Sequence, residues 1–231
     1  MKVLGMIGGM SWESTAHYYS RINQLVAQRL GGLHSAQLLL YSVEFDEIQG
    51  LQHADDWDAC AGILTDIARR LERAGAEGLI ICANTMHLVA PQVAAAVSMP
   101  LLHVADAVAG AIQAAELSTV ALLGTRFTME KAFYREHLEQ HGLRVLVPEE
   151  AERIELHRII FQELCRGEVR EESRDAFYGA VNRLVQAGAS GVILGCTEFS
   201  LLADASRSRV PLFDTAELHA YAAVDWMLEQ E

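Results

Sequence analysis

Two stretches of the chain repeat one another. Residues 70–83 read RLERAGAEGLIICA, and residues 183–196 read RLVQAGASGVILGC, aligning without a gap at an offset of 113 residues. Seven of the fourteen positions are identical: Arg70/Arg183, Leu71/Leu184, Ala74/Ala187, Gly75/Gly188, Ala76/Ala189, Gly78/Gly191 and Ile80/Ile193. Each copy spells a helix end, a glycine turn and a buried strand. Glycine just past the last periodic residue stops a helix. The apolar runs Gly78–Ile81 and Gly191–Leu194 suit parallel strands covered on both faces. The residues after each strand turn small and polar: Ala83-Asn84-Thr85 in one copy, Cys196-Thr197-Glu198 in the other. Ligands of open α/β sheets sit beyond the carboxyl ends of strands. Ala83 and Cys196 therefore hold matching positions in two related sites.

The repeat continues outside these stretches. At an offset of 116, Gly8 aligns with Gly124 and Tyr18 with Tyr134; at an offset of 111, the run Pro100–Asp106 matches Pro211–Glu217. Three spans recurring in one order are the mark of a duplicated unit. The pattern predicts strands at Val3–Ile7, Gln37–Val43, Gly78–Cys82 and Leu101–Val104, with helices at Tyr18–Leu30, Asp55–Arg73 and His87–Val97. A second series follows, with strands at Ser118–Leu123, Val145–Val147 and Val192–Leu194. Its helices start near Thr128 and cover Arg153–Leu164 and Ser173–Gln186. The expected fold is α/β, two similar domains each with a small parallel sheet. Matching exits suggest crossovers, which divides the chain into residues 1–104 plus 212–231 and residues 105–211. The last helix, Ala216–Leu228, then belongs to the first domain. Nothing between the halves resembles a flexible linker, and a cleft between tightly joined domains is the expectation.

Composition narrows the function. A net charge of −13 argues against nucleic acid, which wants a basic face. Helix N-termini and a few local arginines still allow an anionic small molecule. Cys60, Cys82, Cys165 and Cys196 are scattered, with no C-x-x-C and no close Cys/His cluster, so no metal is expected. That usage suits a reducing, cytoplasmic setting. The opening MKVLGMIGGMSWES lacks the apolar run of a signal peptide, and no run reaches membrane-spanning length. Gly5-x-x-Gly8-Gly9 is not a dinucleotide fingerprint, and no P-loop is present.

Paired strand ends suit inversion at an acidic carbon, where one group takes a proton and another returns one. A thiolate can serve as that base. Cys60, Cys82 and Cys165 lie in apolar contexts and read as core residues. Cys196 stands at a strand end in a Gly-Cys-Thr-Glu context and reads as functional. His87 reads equally as a site residue or a helix-end partner. Glu198 either orients or deprotonates Cys196 or sits at a helix start. Arg126 is either a carboxylate anchor or solvated.

Four segments carry a family resemblance: Gly8-Gly9-Met10-Ser11-Trp12-Glu13-Ser14-Thr15, Ala83-Asn84-Thr85-Met86-His87, Leu123-Gly124-Thr125-Arg126-Phe127-Thr128-Met129 and Gly195-Cys196-Thr197-Glu198. With Leu33-His34-Ser35-Ala36-Gln37 they resemble the aspartate/glutamate racemases, which work without pyridoxal phosphate, and most nearly the broad-specificity bacterial amino-acid racemases. The resemblance runs over nearly the whole chain. It implies two Rossmann-like domains, an active site between them, a homodimer, no cofactor, and an acidic amino acid racemised by two cysteines. Cys196 matches the second of those cysteines. Asn84, Thr85 and Thr197 match positions that hold the substrate's α-carboxylate and amino group. Met10 and Ser11 match a loop that closes over the ligand. Gln52 matches a position that reaches the distal carboxylate, and Arg166 falls near an often basic position. Glu198 completes the substrate-side set.

Ala83 departs from the pattern, which has Cys or sometimes Thr there. Cys82 does not replace it, because successive strand residues point to opposite faces. A methyl group carries no proton, so at most one of the two bases is present. Three readings stay open. Ala83 is a substitution that holds unreacted substrate, or a natural departure with water or another group serving that face. Alternatively the chain is a one-sided relative, a decarboxylase or a binder of acidic amino acids.

Overall fold

The computed structural model describes residues 1–229. It contains two compact units. The first comprises Met1–Val104 and the chain from His219 onward, and the second comprises Ala105–Leu218.

The first unit is built on a three-stranded parallel sheet of order β2-β1-β3. Its strands are β1 (Leu4–Gly8), β2 (Leu38–Ser42) and β3 (Gly78–Ile81), in a register that sets Leu4 beside both Leu38 and Gly78. Helices α1 (Trp12–Leu30), α2 (Phe45–His53), α3 (Trp57–Arg73) and α4 (Ala90–Ala94) accompany them. Strand alternation divides the sheet's residues between two faces. Ile7, Leu79 and Ile81 share a core with Leu64, Ile67 and Leu71 of α3. Each such buried side chain contributes about 1.5–3 kcal/mol. On the other face, a Cβ at Gly78 would come within 2.4 Å of the Trp226 ring, so the indole occupies the place of a side chain. Asp56 caps α3 by accepting from the Ala59 N–H at 3.0 Å. Gly75, at φ +100°, ends the turn into β3 in a conformation that disfavours side chains.

The second unit repeats this design with one more strand. Its parallel sheet runs β5-β4-β6-β7, from β4 (Thr119–Gly124), β5 (Arg144–Leu146), β6 (Val192–Gly195) and β7 (Leu212–Asp214). The helices are α5 (Val104–Ala114), α6 (Arg126–Glu130), α7 (Ala132–Gln140), α8 (Glu150–Gln162) and α9 (Glu171–Gln186). Leu123 and Leu194 meet Ile159 of α8 and Phe177, Val181 and Leu184 of α9. Gly188, at φ +106°, takes the place of Gly75 in the repeat. Beneath α8, the buried Glu163 carboxylate accepts from Ser173 Oγ and, at 2.8 Å, from Arg158. Burial pushes its pKa up, but Ser173 and Arg158 outweigh that and hold it below the usual carboxylate range.

Several expectations need correction. The return to the first unit lies at Leu218/His219 rather than residues 211/212, because β7 pairs with β6. The expected strand Leu101–Val104 shrinks to a single bridge between Leu79 and Leu101. Side chains end that ladder: His219 Nε2 donates to the Leu102 carbonyl at 2.8 Å, and the Val104 N–H donates to His87 Nε2 at 3.3 Å. The expected helix His87–Val97 is a 3-10 turn, Thr85–Val89, followed by α4. Pro91 lacks an N–H and would clash with the His87 carbonyl in one continuous helix. The first helix starts at Trp12, well before Tyr18, since Ser11 caps it there. α2 and α5 had no expectation at all. The final helix, α10 (Thr215–Leu228), begins in the second unit. No helix among the described residues is long and apolar enough to cross a membrane.

The tyrosines matched by the repeat differ in one respect. Both are buried, Tyr18 on α1 and Tyr134 on α7. The Tyr18 hydroxyl meets His219 Nδ1 at 3.0 Å, while the Tyr134 hydroxyl has no hydrogen-bond partner among the described residues. His219 Nε2 must carry the proton given to Leu102, so Nδ1 accepts from Tyr18. Tyr18→Phe should therefore cost about 1–3 kcal/mol by stranding a buried acceptor. Tyr134→Phe should be neutral or stabilise by about 1 kcal/mol, because it removes an unsatisfied group. Urea unfolding of both variants tests the contrast, and equal losses would refute it.

Candidate active site

The repeat delivers two comparable strand ends, one per unit. In the first, β1 ends at Gly8, and the Gly9 N–H donates to Thr15 Oγ1 at 2.8 Å. Thr15 Oγ1 donates in turn to the Ser11 carbonyl at 2.9 Å. Ser11 Oγ accepts from the Ser14 N–H at 3.3 Å and so caps α1. The loop thus arrives at the strand end already braced. Met10 is buried in the first core and Ser11 is buried at the cap, so both support the loop from within. Gly9, at φ +90°, lies against the Val43 backbone, where a Cβ would meet atoms at 2.4 Å.

Beyond β3 the alternation has its effect. Cys82 is fully buried, and burial alone pushes its thiol far above the ordinary range. Ala83 is half-buried at the next position. Asn84 and Thr85 are buried in the turn that follows. His87 is locked by two bonds of opposite sense: its Nδ1 lies 2.8 Å from the Ala83 carbonyl, and its Nε2 accepts from Val104. A carbonyl only accepts, so Nδ1 carries the hydrogen and the ring is neutral. His87 thereby fixes the backbone at Ala83. Gln52 of α2 is buried with its amide donating to Met86 Sδ at 3.0 Å. A thioether is a weak acceptor, so this hydrogen bond is a weak one.

In the second unit, β4 and β6 end at paired glycines, Gly124 and Gly195. A Cβ on Gly124 would lie 2.8 Å from the Gly195 carbonyl, so the two strand ends approach at a distance only glycine permits. Cys196 continues the strand in extended backbone at φ −137° and is 7% exposed. Its thiol donates to Glu198 Oε2 at 3.0 Å, and Thr197 Oγ1 donates to the same oxygen at 2.9 Å. Burial, then the negative charge of Glu198, then that of Cys165 push the Cys196 pKa well above the ordinary thiol range. The resting group is a thiol hydrogen-bonded to a carboxylate, a proton carrier beside its own acceptor.

Arg166 lies on the 3-10 turn Leu164–Arg166, which packs against the 3-10 turn Thr197–Leu201. Its side chain is exposed and has no ion-pair partner among the described residues. Arg126, by contrast, forms a two-pronged pair with Glu130 at 3.1 Å. Two residues of α9 that the sequence did not single out hold the loop after Cys196. Arg174 donates to the Leu201 and Leu202 carbonyls. The Tyr178 hydroxyl bonds the backbone of Asp204 twice, at 2.8 and 2.6 Å. Their four-residue spacing puts both on one helix face, but the sequence holds no sign of what that face meets. The structure therefore assembles Ala83, Asn84, Thr85 and Gln52 in the first unit, and Cys196, Thr197, Glu198 and Arg166 in the second.

Comparison with known proteins places this arrangement. Residues 7–223 match the Asp/Glu/hydantoin racemase family. A Yersinia pestis protein assigned as an Asp/Glu racemase is 50% identical, covers 99% of this chain and 100% of its own, and superposes with a TM-score of 0.93. An aspartate racemase homologue from Pyrococcus horikoshii OT3 is 37% identical over 99% and 100% of the two chains, with a TM-score of 0.86. The broad specificity amino-acid racemase RacX of Bacillus subtilis (strain 168) is 21% identical, over 98% of each chain. The chain belongs to the Asp/Glu/hydantoin racemase family and is an isomerase, a racemase.

Proposed function

We propose that the substrate is an acidic amino acid, aspartate or glutamate, and that Cys196 is the only thiol acting on its Cα proton. The observation that carries this reading is the Cys196–Glu198 hydrogen bond at a strand end whose repeat partner is Ala83. Glu198 takes the thiol proton, the thiolate takes the Cα proton, and the carbanion is quenched from the same side after the thiol exchanges with solvent. Asn84, Thr85 and Thr197 take the α-carboxylate and amino group, and Gln52 and Arg166 take the distal carboxylate. No cofactor is required. A cytoplasmic homodimer belongs to the same reading. The opposing reading is a binding protein for acidic amino acids without catalysis, or a decarboxylase using one cysteine.

The half-reaction separates these readings. In deuterated water one enantiomer should exchange its Cα hydrogen faster than it racemises, and the other should be nearly inert. Ala83→Cys should raise racemisation by about 10²-fold or more, the scale of a positioned acid/base. Cys196→Ser should abolish exchange. NMR of the Cα proton reads all three, and equal exchange of both enantiomers with Ala83 in place would defeat the single-thiol account. Loss of carbon dioxide would indicate the decarboxylase.

The raised thiol pKa sets a pH dependence. The thiolate is the base, and at neutral pH it is the minor form, so exchange should increase with pH. The increase should continue past about 8.5, the free-thiol value. Glu198→Gln removes a negative charge that raises the thiol, so its inflection should move to lower pH. The maximal rate should fall by about 10²-fold if Glu198 receives the proton. An unchanged profile in Glu198→Gln would leave that residue a structural role only.

Binding provides an independent measure. Calorimetry should find aspartate or glutamate bound by the chain and by Cys196→Ser alike. Arg166→Ala should weaken acidic amino acids by about tenfold, or about 1.4 kcal/mol, relative to alanine. Absence of binding for any acidic amino acid would remove both the racemase substrate assignment and the binder.

A further inference from the structure

The second unit holds a cluster of potential metal ligands that racemisation by a thiol does not use. His137 and His141 stand four residues apart at the end of α7, on one helix face. Asp106, in the first turn of α5, sends one carboxylate oxygen between them. Oδ1 lies 2.6 Å from His137 Nε2 and 3.0 Å from His141 Nε2. The two imidazole rings flank it with centroids 5.6 Å apart and planes 34° from parallel.

We infer that Asp106, His137 and His141 form a binding site for a late first-row divalent cation such as zinc. Two imidazoles and one carboxylate are the donor set such ions prefer. In the present arrangement both Nε2 atoms carry hydrogens that point at one oxygen. On binding, each neutral imidazole moves its hydrogen to Nδ1 and offers the Nε2 lone pair, so no net proton is released. Ligand atoms around a tetrahedral zinc lie about 3.3 Å apart, given bonds of about 2.0–2.1 Å. The carboxylate must withdraw by roughly half an ångström for that geometry. The Asp106 side chain is 54% exposed, and the histidines are 27% and 37% exposed.

Two further features favour a cation here. The site sits on the carbonyl end of α7, where the helix dipole attracts positive charge. The framework is also held without metal: Gln113, in the last turn of α5, donates to the His141 carbonyl at 2.9 Å. The ion would therefore tie the first turn of α5 to the last turn of α7. The sequence shows only half of this site, since His137-x-x-x-His141 lacks its carboxylate until the fold brings Asp106 across a separation of 31 residues.

The test uses the full-length, chelator-stripped protein, titrated with zinc chloride by calorimetry and with cobalt(II) by visible spectroscopy. One ion per chain is expected, raising the melting temperature, with cobalt d–d absorption and no sulfur-to-metal charge-transfer band. His137→Ala, His141→Ala and the near-isosteric Asp106→Asn should each weaken zinc by at least about tenfold. Each should also abolish the zinc-dependent rise in melting temperature. Circular dichroism and the metal-free melt establish that each variant is folded, and Asp106→Asn keeps the test decisive if an alanine variant is not. Stoichiometric zinc binding retained in the folded variants would overturn the inference. So would a thiolate charge-transfer band, or no binding by the parent protein.

Discussion

Everything at the two half-sites depends on where β3 and β6 start. Gly75 and Gly188, at φ +100° and +106°, end the preceding helices and set the first residue of each strand. From there the side-chain period of two is unforgiving. A slip of one residue would exchange Ala83 with Cys82 in the first unit, and Cys196 with Gly195 in the second. Burial has opposite consequences for these thiols. Cys82 is fully buried, and burial alone pushes its thiol far above the ordinary range. Cys196 is nearly as buried, but its proton already points at a carboxylate. Depth alone does not make a cysteine structural or chemical; the acceptor next to it does.

The glycine-stopped helices, the parallel strands and the duplication were legible because they rest on local rules: period and turn chemistry. What escaped was decided by side chains far apart in sequence. His219 and His87 terminate the ladder at Leu102 and Val104, so a segment that reads as a strand becomes a single bridge. Its counterpart in the repeat meets no such interference and forms the full strand β7. The same reason moved the unit boundary. Leu212–Asp214 belongs with β6, and nothing within those three residues announces that pairing. Pro91 could have warned against one long helix after Thr85, since its effect on the preceding turn is local.

The site was legible in part. Strand-end position marked Ala83 and Cys196, but it could not say what holds them. The Ala83 carbonyl is held by a neutral imidazole, and the loop after Cys196 is held by Arg174 and Tyr178 from α9. None of these partners lies within ten residues of what it holds except His87, whose tautomer became readable only through Val104. Arg126 and Arg166 show the converse. Both are arginines beside glycine turns, and only the fold reveals that Glu130 occupies one and not the other.

Ala83 acquires its meaning from what surrounds it. The rigidity of the adjoining turn does not require a larger side chain at position 83. Here the turn stays fully specified: His87 fixes the backbone, Gln52 is buried beside Met86, and Asn84 and Thr85 remain buried polar residues. Buried polar groups are costly unless they are hydrogen-bonded. A methyl group at position 83 also creates no clash, because a smaller side chain at the end of a strand removes contacts without adding any. The architecture of this turn is thus independent of a larger side chain at position 83. The geometry of this turn comes from its backbone and from His87, not from the side chain at position 83.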